Sequence, residues 1–336
     1  MKYEPYDYQK YSIRFLEEKP EVALFLDCGL GKTSITLTAI ADLMFDSFDV
    51  SRVLVIAPIR VAKFSWPDEL ARWDHLSDLT WAVAVGTPKE RMAALQSGAD
   101  IVIINRENVQ WLIEKSGYEW DFDMCVLDEA SSFKNHQAKR FKSLLKVRPK
   151  IKRMVALTGT PSSNGLMDLW APFRLIDKGE RLERFIGRYR AKYFEPDRMN
   201  GQIVYSYRLL PGADREIYDK ISDITISMKA KDHIRMPELV SSEYRVFLSE
   251  AESMEYKEML DDFVLQLPGK EITAANAGVL SGKLSQMANG AIYDDEKGVN
   301  ILHQRKLDAL EDIIESANGK PLLIAYWYQQ DRRAHV

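Results

Sequence analysis

The chain has 336 residues, and at roughly 150 residues per domain that length points to two domains. Hydrophobic residues make up 46% and charged residues 29%, which excludes disordered, collagen-like and supercharged classes. With 46 Lys plus Arg against 50 Asp plus Glu and a net charge of −4, the chain is not a uniformly basic nucleic-acid coat, so any polyanion site has to be a local patch.

Met1 to Lys10 mixes charge with tyrosine and lacks the basic, apolar, small-residue order of a signal peptide. Two cysteines, Cys28 and Cys125, cannot form the framework of a chain this size, and the count fits a reducing compartment. The apolar runs fall far short of the roughly 20 residues a membrane helix needs. These features predict a soluble, cytoplasmic protein with no membrane partner.

Short, continuous apolar runs recur through the first half: Val22 to Leu26, Val53 to Ala57, Thr80 to Val85, Ile101 to Ile104, Met124 to Leu127 and Met154 to Leu157. Continuous rather than alternating runs are expected of strands covered on both faces. Helix-like stretches lie between several of them, at Lys32 to Phe45, Trp66 to Trp73 and Lys89 to Leu95. The alternation predicts an α/β fold with a doubly wound parallel sheet. After about Leu169 the texture becomes charged and helix-like, broken by Pro196, Pro211 and Pro237. There the sequence predicts a strand at Arg245 to Leu248, a hairpin from Ala291 to Tyr293 and Val299 to Leu302, and a helix over Lys306 to Ala317. A last strand-like run spans Pro321 to Tyr328, where Leu322, Leu323 and Ile324 are expected to be partly uncovered. No internal repeat interrupts this order.

Three sites carry chemistry. Gly29-Leu30-Gly31-Lys32-Thr33-Ser34 follows a strand and opens a helix, the arrangement in which backbone N–H groups and a helix N-terminus converge on a phosphate while lysine neutralises it. Thr33 is a candidate hydroxyl ligand to Mg²⁺. The full G-x-x-x-x-G-K-[ST] pattern has glycine where this chain has Leu26. Asp128 and Glu129 end another buried run, where open α/β sheets bind ligands. Asp128 is suited to hold Mg²⁺ through water, and Glu129 to orient or deprotonate an attacking water. Thr158-Gly159-Thr160 ends a third run and is placed to sense phosphate state and couple it to neighbouring segments. Trp66 and Trp73 read as packing residues, and so does Cys28, although it falls inside the phosphate loop.

Together these residues resemble the helicase superfamily two ATPases, and within them the SWI/SNF-type double-stranded DNA translocases. Tyr8-Gln9 with Arg14-Phe15-Leu16 looks like that family's Q motif, and Gly29 to Thr33 like its GLGKT. Val53 to Pro58, then Trp66, Glu69-Leu70 and Trp73, are similar to its second motif. Asp128-Glu129-Ala130-Ser131 with Phe133-Lys134-Asn135 resembles DEAH-x-x-KN, with Ser131 at the histidine position. Thr158 to Pro161, Asn164-Gly165-Leu166 and Leu169-Trp170 resemble LTGTP-x-x-N-x-x-x-LW. A fainter likeness runs from Pro237-Glu238-Leu239 through Tyr256, Asn289-Gly290 and Lys306-Leu307 to Leu322 to Trp327.

The resemblance implies ATP and Mg²⁺ as cofactors and ATPase activity. Gln9 would read adenine, and Cys28 to Ser34 would cradle the nucleotide. Lys32 and Thr33 would hold phosphates and metal, with Asp128 and Glu129 catalytic. Pro58, Arg60, Asn105, Arg106, Ser162, Ser163 and Asn164 would line a DNA-tracking surface. Between Ala130 and Met154 lies a run with no acidic residue that contains Lys134, Lys139, Arg140, Lys142, Lys146, Arg148, Lys150, Lys152 and Arg153, suited to phosphates without reading sequence. The expected partner is double-stranded DNA, bound without sequence preference; a protein or nuclease partner is unspecified. Compactness suggests a bacterial or phage protein.

The expected division is residues 1–225 as an ATP-binding RecA-like lobe and 226–336 as the truncated, helix-rich start of a second. Nothing in the chain resembles the late motifs that supply arginine fingers, so it should bind nucleotide but hydrolyse it poorly. Two rival readings remain: a nucleotide-dependent binding module complete at this length, and a P-loop ATPase acting on something other than nucleic acid.

Overall fold

The computed structural model describes residues 1–161, 165–201, 203–234, 240–268, 270–294, 296, 298–317 and 319–333. It divides into two compact units, Met1–Pro237 and Glu238–Val336. The first is built on seven strands: β1 (Glu21–Leu26), β2 (Val53–Ala57), β3 (Trp81–Ala84), β4 (Ile101–Asn105), β5 (Met124–Asp128), β6 (Arg153–Thr158) and a later strand, Thr225–Met228. They lie in the order β3-β4-β2-β5-β6-β1 with Thr225–Met228 outside β1, and every pairing is parallel. The expected doubly wound sheet is therefore present.

Alternate residues of each strand feed two separate cores. Val53 and Val55 of β2 face one core, while Leu54 and Ile56 face the other. On the first face pack α1 (Asp7–Glu18), α2 (Lys32–Ala41) and α3 (Trp66–Arg72), through Phe15, Leu16, Ile35, Leu37, Trp66 and Leu70. A π-helical turn, Asp42–Asp46, extends α2 to the length the sequence predicts. On the second face lie α4 (Pro88–Leu95), α5 (Val109–Glu114), α6 (Lys139–Val147), α7 (Trp170–Ile176), α8 (Ile186–Tyr193) and, after a hairpin, α9 (Ala213–Ile221). Because all seven strands run the same way, the loops after β1, β2, β4, β5 and β6 emerge at one edge of the sheet, and most of the candidate site residues are at these strand ends, with Gln9 on α1 and Lys139 and Arg140 on α6.

The hairpin pairs β7 (Phe194–Asn200) with β8 (Ile203–Leu209) as a separate antiparallel ribbon. The first unit does not stop at residue 225. Ile226 pairs with Leu24 of β1, and the strand Thr225–Met228, β9, completes the sheet, so the unit runs on to Pro237.

Two arginines of the basic run are structural. Arg148 is 1% exposed; its guanidinium donates to Glu21 Oε1 (2.8 Å), to the Ile151 carbonyl (2.8 Å) and to the carbonyls of Leu175 and Ile176. It thereby ties the start of β1 to the end of α7. Arg153 is likewise buried and donates to the carbonyls of Leu16, Glu17 and Lys19 and to Asp49. Neither is available to a phosphate. Arg148→Ala would leave these acceptors and the Glu21 carboxylate without their cation in a dry site, and is expected to cost about 3–5 kcal/mol. Chemical denaturation of the two proteins measures the difference.

The second unit contains helices Glu250–Asp262, Ala277–Ala288 and Arg305–Ser316, a short helix Gln329–Arg333, and two antiparallel hairpins. One hairpin pairs Val264–Leu267 with Lys270–Thr273, and the other pairs Ala291–Tyr293 with Val299–Ile301. Its small core joins Met259, Leu265, Ile272, Leu280, Leu284, Met287 and Ile292. Two expected strands do not form. Arg245 to Leu248 lies in a segment with no regular structure. Pro321 to Tyr328 is also irregular, with Leu322, Leu323 and Ile324 at 45%, 101% and 44% exposure. A strand requires a neighbour for its N–H and C=O groups, and the strands of this unit already pair within their hairpins. Among the described residues, no helix is long and apolar enough to cross a membrane.

Candidate active site

The phosphate-type loop leaves β1 after Leu26 and enters α2 at Gly31. Gly29 and Gly31 adopt φ of 86° and 78°, the left-handed region that glycine enters without steric cost. Gly31 has a second constraint: a Cβ there would lie 2.5 Å from Gln9 Nε2 and 3.0 Å from Ser34 Oγ. Gln9, buried on α1, is held against the loop, its Nε2 donating to the Leu30 carbonyl (3.4 Å) and its Oε1 accepting from the Tyr6 N–H (3.0 Å). Lys32 Nζ donates to the carbonyls of Leu26 (2.7 Å) and Asp27 (3.2 Å), which keeps the ammonium over the loop. Asp27 also clamps the loop to the chain after β9, accepting from the Ala230 N–H at 2.9 Å. That clamp is not visible in the motif.

These residues open onto a cavity of about 700 Å³, lined by Gln9, Cys28, Gly29, Gly31, Lys32, Thr33 and Ser34, by Glu69 and Trp73, and by Lys2, Tyr3, Glu4 and Tyr6 of the N-terminal segment. Leu30 is buried beneath the loop. Cys28 is not a packing residue: its side chain is exposed on the cavity wall, because the loop turns away from the core directly after Leu26.

Asp128 ends β5. Trp66, fully buried, donates its Nε1–H to Asp128 Oδ2 at 2.8 Å, so this packing residue also orients a carboxylate. Burial pushes the Asp128 carboxyl above the usual carboxylate range, while the Trp66 hydrogen bond and the charge of Lys32 pull the other way. Glu129 then adopts φ 55°, uncommon for a residue with a side chain and a conformation that clusters at functional sites. The hydroxyls of Thr158 (2.9 Å) and Ser131 both donate to its Oε1. Thr160 N–H donates to Thr158 Oγ1 at 3.1 Å.

Strand order gives this contact its meaning. β6 lies between β1 and β5, so the segment after β6 meets both the loop and the carboxylate. A Cβ built on Gly159 would sit 3.4 Å from the Leu26 carbonyl and 3.9 Å from the Cys28 nitrogen, while its neighbour Thr158 holds Glu129. Glu129 has two hydroxyl partners, one of them Ser131, the residue that stands at the histidine position of the motif.

The residues expected along DNA are placed unevenly. Pro58 and Arg60 follow β2, with Arg60 exposed. Asn105 is 4% exposed: its Nδ2 donates to Glu107 Oε2 (2.8 Å) and its Oδ1 accepts from Asn108. It shapes the loop after β4 and presents no amide to a ligand. Arg106 is ion-paired to Glu107 at 2.9 Å, and Lys134 to Asp168 at 3.2 Å. Half-buried Arg140 donates to the Ser132 carbonyl at 2.6 Å. Lys139 and Lys142 are exposed on α6. Ser162, Ser163 and Asn164 lie outside the described residues.

Comparison with known proteins decides the family. Residues 8–208 match the SNF2-related domain, a span of more than half the chain. The chain belongs to the SNF2-related family. It carries an SNF2-type, helicase-like ATPase domain. The p41 protein of Acyrthosiphon pisum secondary endosymbiont phage 1 is 34% identical over 334 residues, covering 97% of this chain and 73% of its own length. Protein CHROMATIN REMODELING 24 of Arabidopsis thaliana is 29% identical over 227 residues, 62% of this chain but 19% of the plant protein. Among solved structures, the Sulfolobus solfataricus SWI2/SNF2 ATPase core in complex with dsDNA shares the fold, with a TM-score of 0.57 at 23% identity. That match covers 95% of this chain and 65% of the archaeal one. Six strands of the parallel sheet, β1 to β6, fall within the SNF2-related match, and the seven-stranded sheet has the fold of the SWI2/SNF2 ATPase core.

Proposed function

We propose that this protein is the nucleotide-binding part of a DNA-translocating motor, which binds Mg–ATP and couples its hydrolysis to movement along double-stranded DNA. The observation that carries the reading is the Thr158–Glu129 hydrogen bond at 2.9 Å, with Gly159 packed beside the loop carbonyl of Leu26. One short segment between the nucleotide strands is thereby in register with both the phosphate cradle and the carboxylate.

The residues present fit the group. Lys32 would exchange its two carbonyl partners for phosphate oxygens, and the Gly31 turn leaves the cradle open where a Cβ would close it. Gln9 is positioned to recognise the base. Thr33 and Asp128 would hold the metal, which when bound neutralises charge on the phosphate oxygens. Glu129 orients the attacking water and accepts its proton. Arg60, Arg106, Lys139 and Lys142, on loops and a helix at the same edge, would engage phosphates of the duplex. The second unit is read as belonging to the second motor lobe. Support for duplex DNA as the partner comes from the Sulfolobus core, which was solved on dsDNA. The match to a phage protein suits action in the cytoplasm of an infected bacterium.

ATP turnover is expected to be low for the chain alone and to rise when linear duplex of any sequence is added. Turnover that ignores duplex would instead favour an ATPase acting on a different substrate.

A further inference from the structure

The ribbon of β7 and β8 is the least explained part of the first unit. Its register runs from Phe194 against Leu209 to Asn200 against Ile203, with a bulge near Arg198, and it pairs with no strand of the main sheet. Burial ends at the root. Tyr193 and Phe194 are buried, whereas Met199 and Tyr205 are 54% and 66% exposed. A two-stranded ribbon is marginal in water, and apolar residues held out at its tip do not repay the entropy of ordering it.

The root lies beside the active edge. Tyr189 of α8 donates its hydroxyl to the Leu166 carbonyl at 2.8 Å, close after the Thr158–Thr160 segment. The Arg190 guanidinium sits 5.0 Å from the Tyr207 ring centre, joining helix to ribbon. His136, three residues before α6, is held below the usual imidazole range by burial and then by the charges of Arg190 and Lys142. From Arg184 to Lys192 the sequence has four cations and no acidic residue. Of these, Lys192 is paired with Glu216 at 3.0 Å, and Arg184 and Arg188 flank the exposed Phe185 ring.

The ribbon itself is balanced, because Glu195 pairs with Arg208 at 2.8 Å and Asp197 accepts from Ser206 at 2.8 Å. Net positive charge is therefore concentrated at the root, while the exposed Met199 and Tyr205 side chains stand near a tip that also carries Arg198 and Asn200. A two-stranded β-ribbon fits the major groove of B-DNA, about 12 Å wide, and cations at its base would then meet the flanking phosphates. We infer that the Phe194–Leu209 ribbon enters a groove of the duplex while Arg184 and Arg188 hold its phosphates, a contact separate from the strand-end loops. This rests on the reading of duplex DNA as the partner.

The test is binding of a short fluorescent duplex across a salt series, with nucleotide affinity as the check on folding. Arg184→Glu with Arg188→Glu is expected to weaken duplex binding about tenfold or more and to lower the salt slope by about 2. Tyr205→Ala should weaken binding with the slope unchanged, and a photo-cross-linking residue at 205 should capture DNA. Parental affinity in both variants, while Lys139→Glu with Lys142→Glu still weakens binding, would overturn the ribbon contact and leave the DNA reading standing. Capture of protein instead of DNA at 205 would also overturn it. Absence of any duplex binding by the parent would refute both.

Discussion

Lys32→Ala is expected to abolish binding of a labelled ATP analogue at concentrations that saturate the parent, without unfolding the chain. The Lys32 ammonium is held over the loop by the carbonyls of Leu26 and Asp27, so little ordering remains when phosphate oxygens replace them. Hydrogen bonds to charged groups are worth about 1.5–3 kcal/mol each. Loss of two such contacts raises Kd by at least about a hundredfold. The other lysine on the cavity wall, Lys2, cannot substitute: it is largely exposed and paired with Glu4 at 3.1 Å. The loop itself should survive, since Gly29, Gly31 and the Asp27 clamp to Ala230 do not depend on the ammonium. Equilibrium binding and thermal melting of the variant separate these effects. An unchanged affinity would remove the phosphate-loop reading.

The sheet was legible because parallel strands are buried on both faces and therefore read as continuous apolar runs. The runs at Val22, Val53, Ile101, Met124 and Met154 mark β1, β2, β4, β5 and β6 to within a residue or so. The ribbon was not legible: its first strand is exposed beyond Phe194, and Pro196 together with the bulge near Arg198 breaks the alternation. Thr225–Met228 is only four residues long and owes its place to a free edge of β1, a tertiary fact that local pattern does not carry. Pro321 to Tyr328 fails in the opposite direction, since a strong apolar run without a partner edge stays irregular.

At the candidate site, the motifs named residues whose hydrogen-bond partners the sequence does not show. Charge density alone put Arg148 and Arg153 with the lysines expected to meet phosphates, yet both are used up by main-chain carbonyls and carboxylates. The Asn105 side chain turns inward for a similar reason, with Glu107 and Asn108 near enough in sequence to satisfy its amide. Trp66 reaches Asp128 across 62 residues of sequence, and Thr158 reaches Glu129 across 29. Contacts of that range require the strand order, because only β6 lying between β1 and β5 brings Thr158 to the carboxylate.

Glu129→Gln is expected to leave nucleotide affinity nearly intact and to lower the hydrolysis step by about 10²–10⁴, the range general-base catalysis contributes. Both hydroxyl donors, from Thr158 and Ser131, go to the same oxygen, Oε1. A glutamine can keep its amide oxygen in that position, so the left-handed backbone at residue 129 and the link to β6 are retained. Its NH₂ then occupies the place of the second carboxylate oxygen, and that group donates protons rather than accepting one from water. The loss should accordingly appear in kcat, with KM little changed, as expected of an interaction made only in the transition state. Single-turnover hydrolysis with the protein in excess over ATP gives the chemical step directly, whatever the steady-state rate. Thr158→Val serves as the companion: it leaves the carboxylate but removes one of its two anchors and the acceptor for Thr160 N–H, so its rate should fall less than that of Glu129→Gln. Hydrolysis at the parental rate in Glu129→Gln would mean that another group activates the water and that the Thr158 contact serves only to hold β6 against β5.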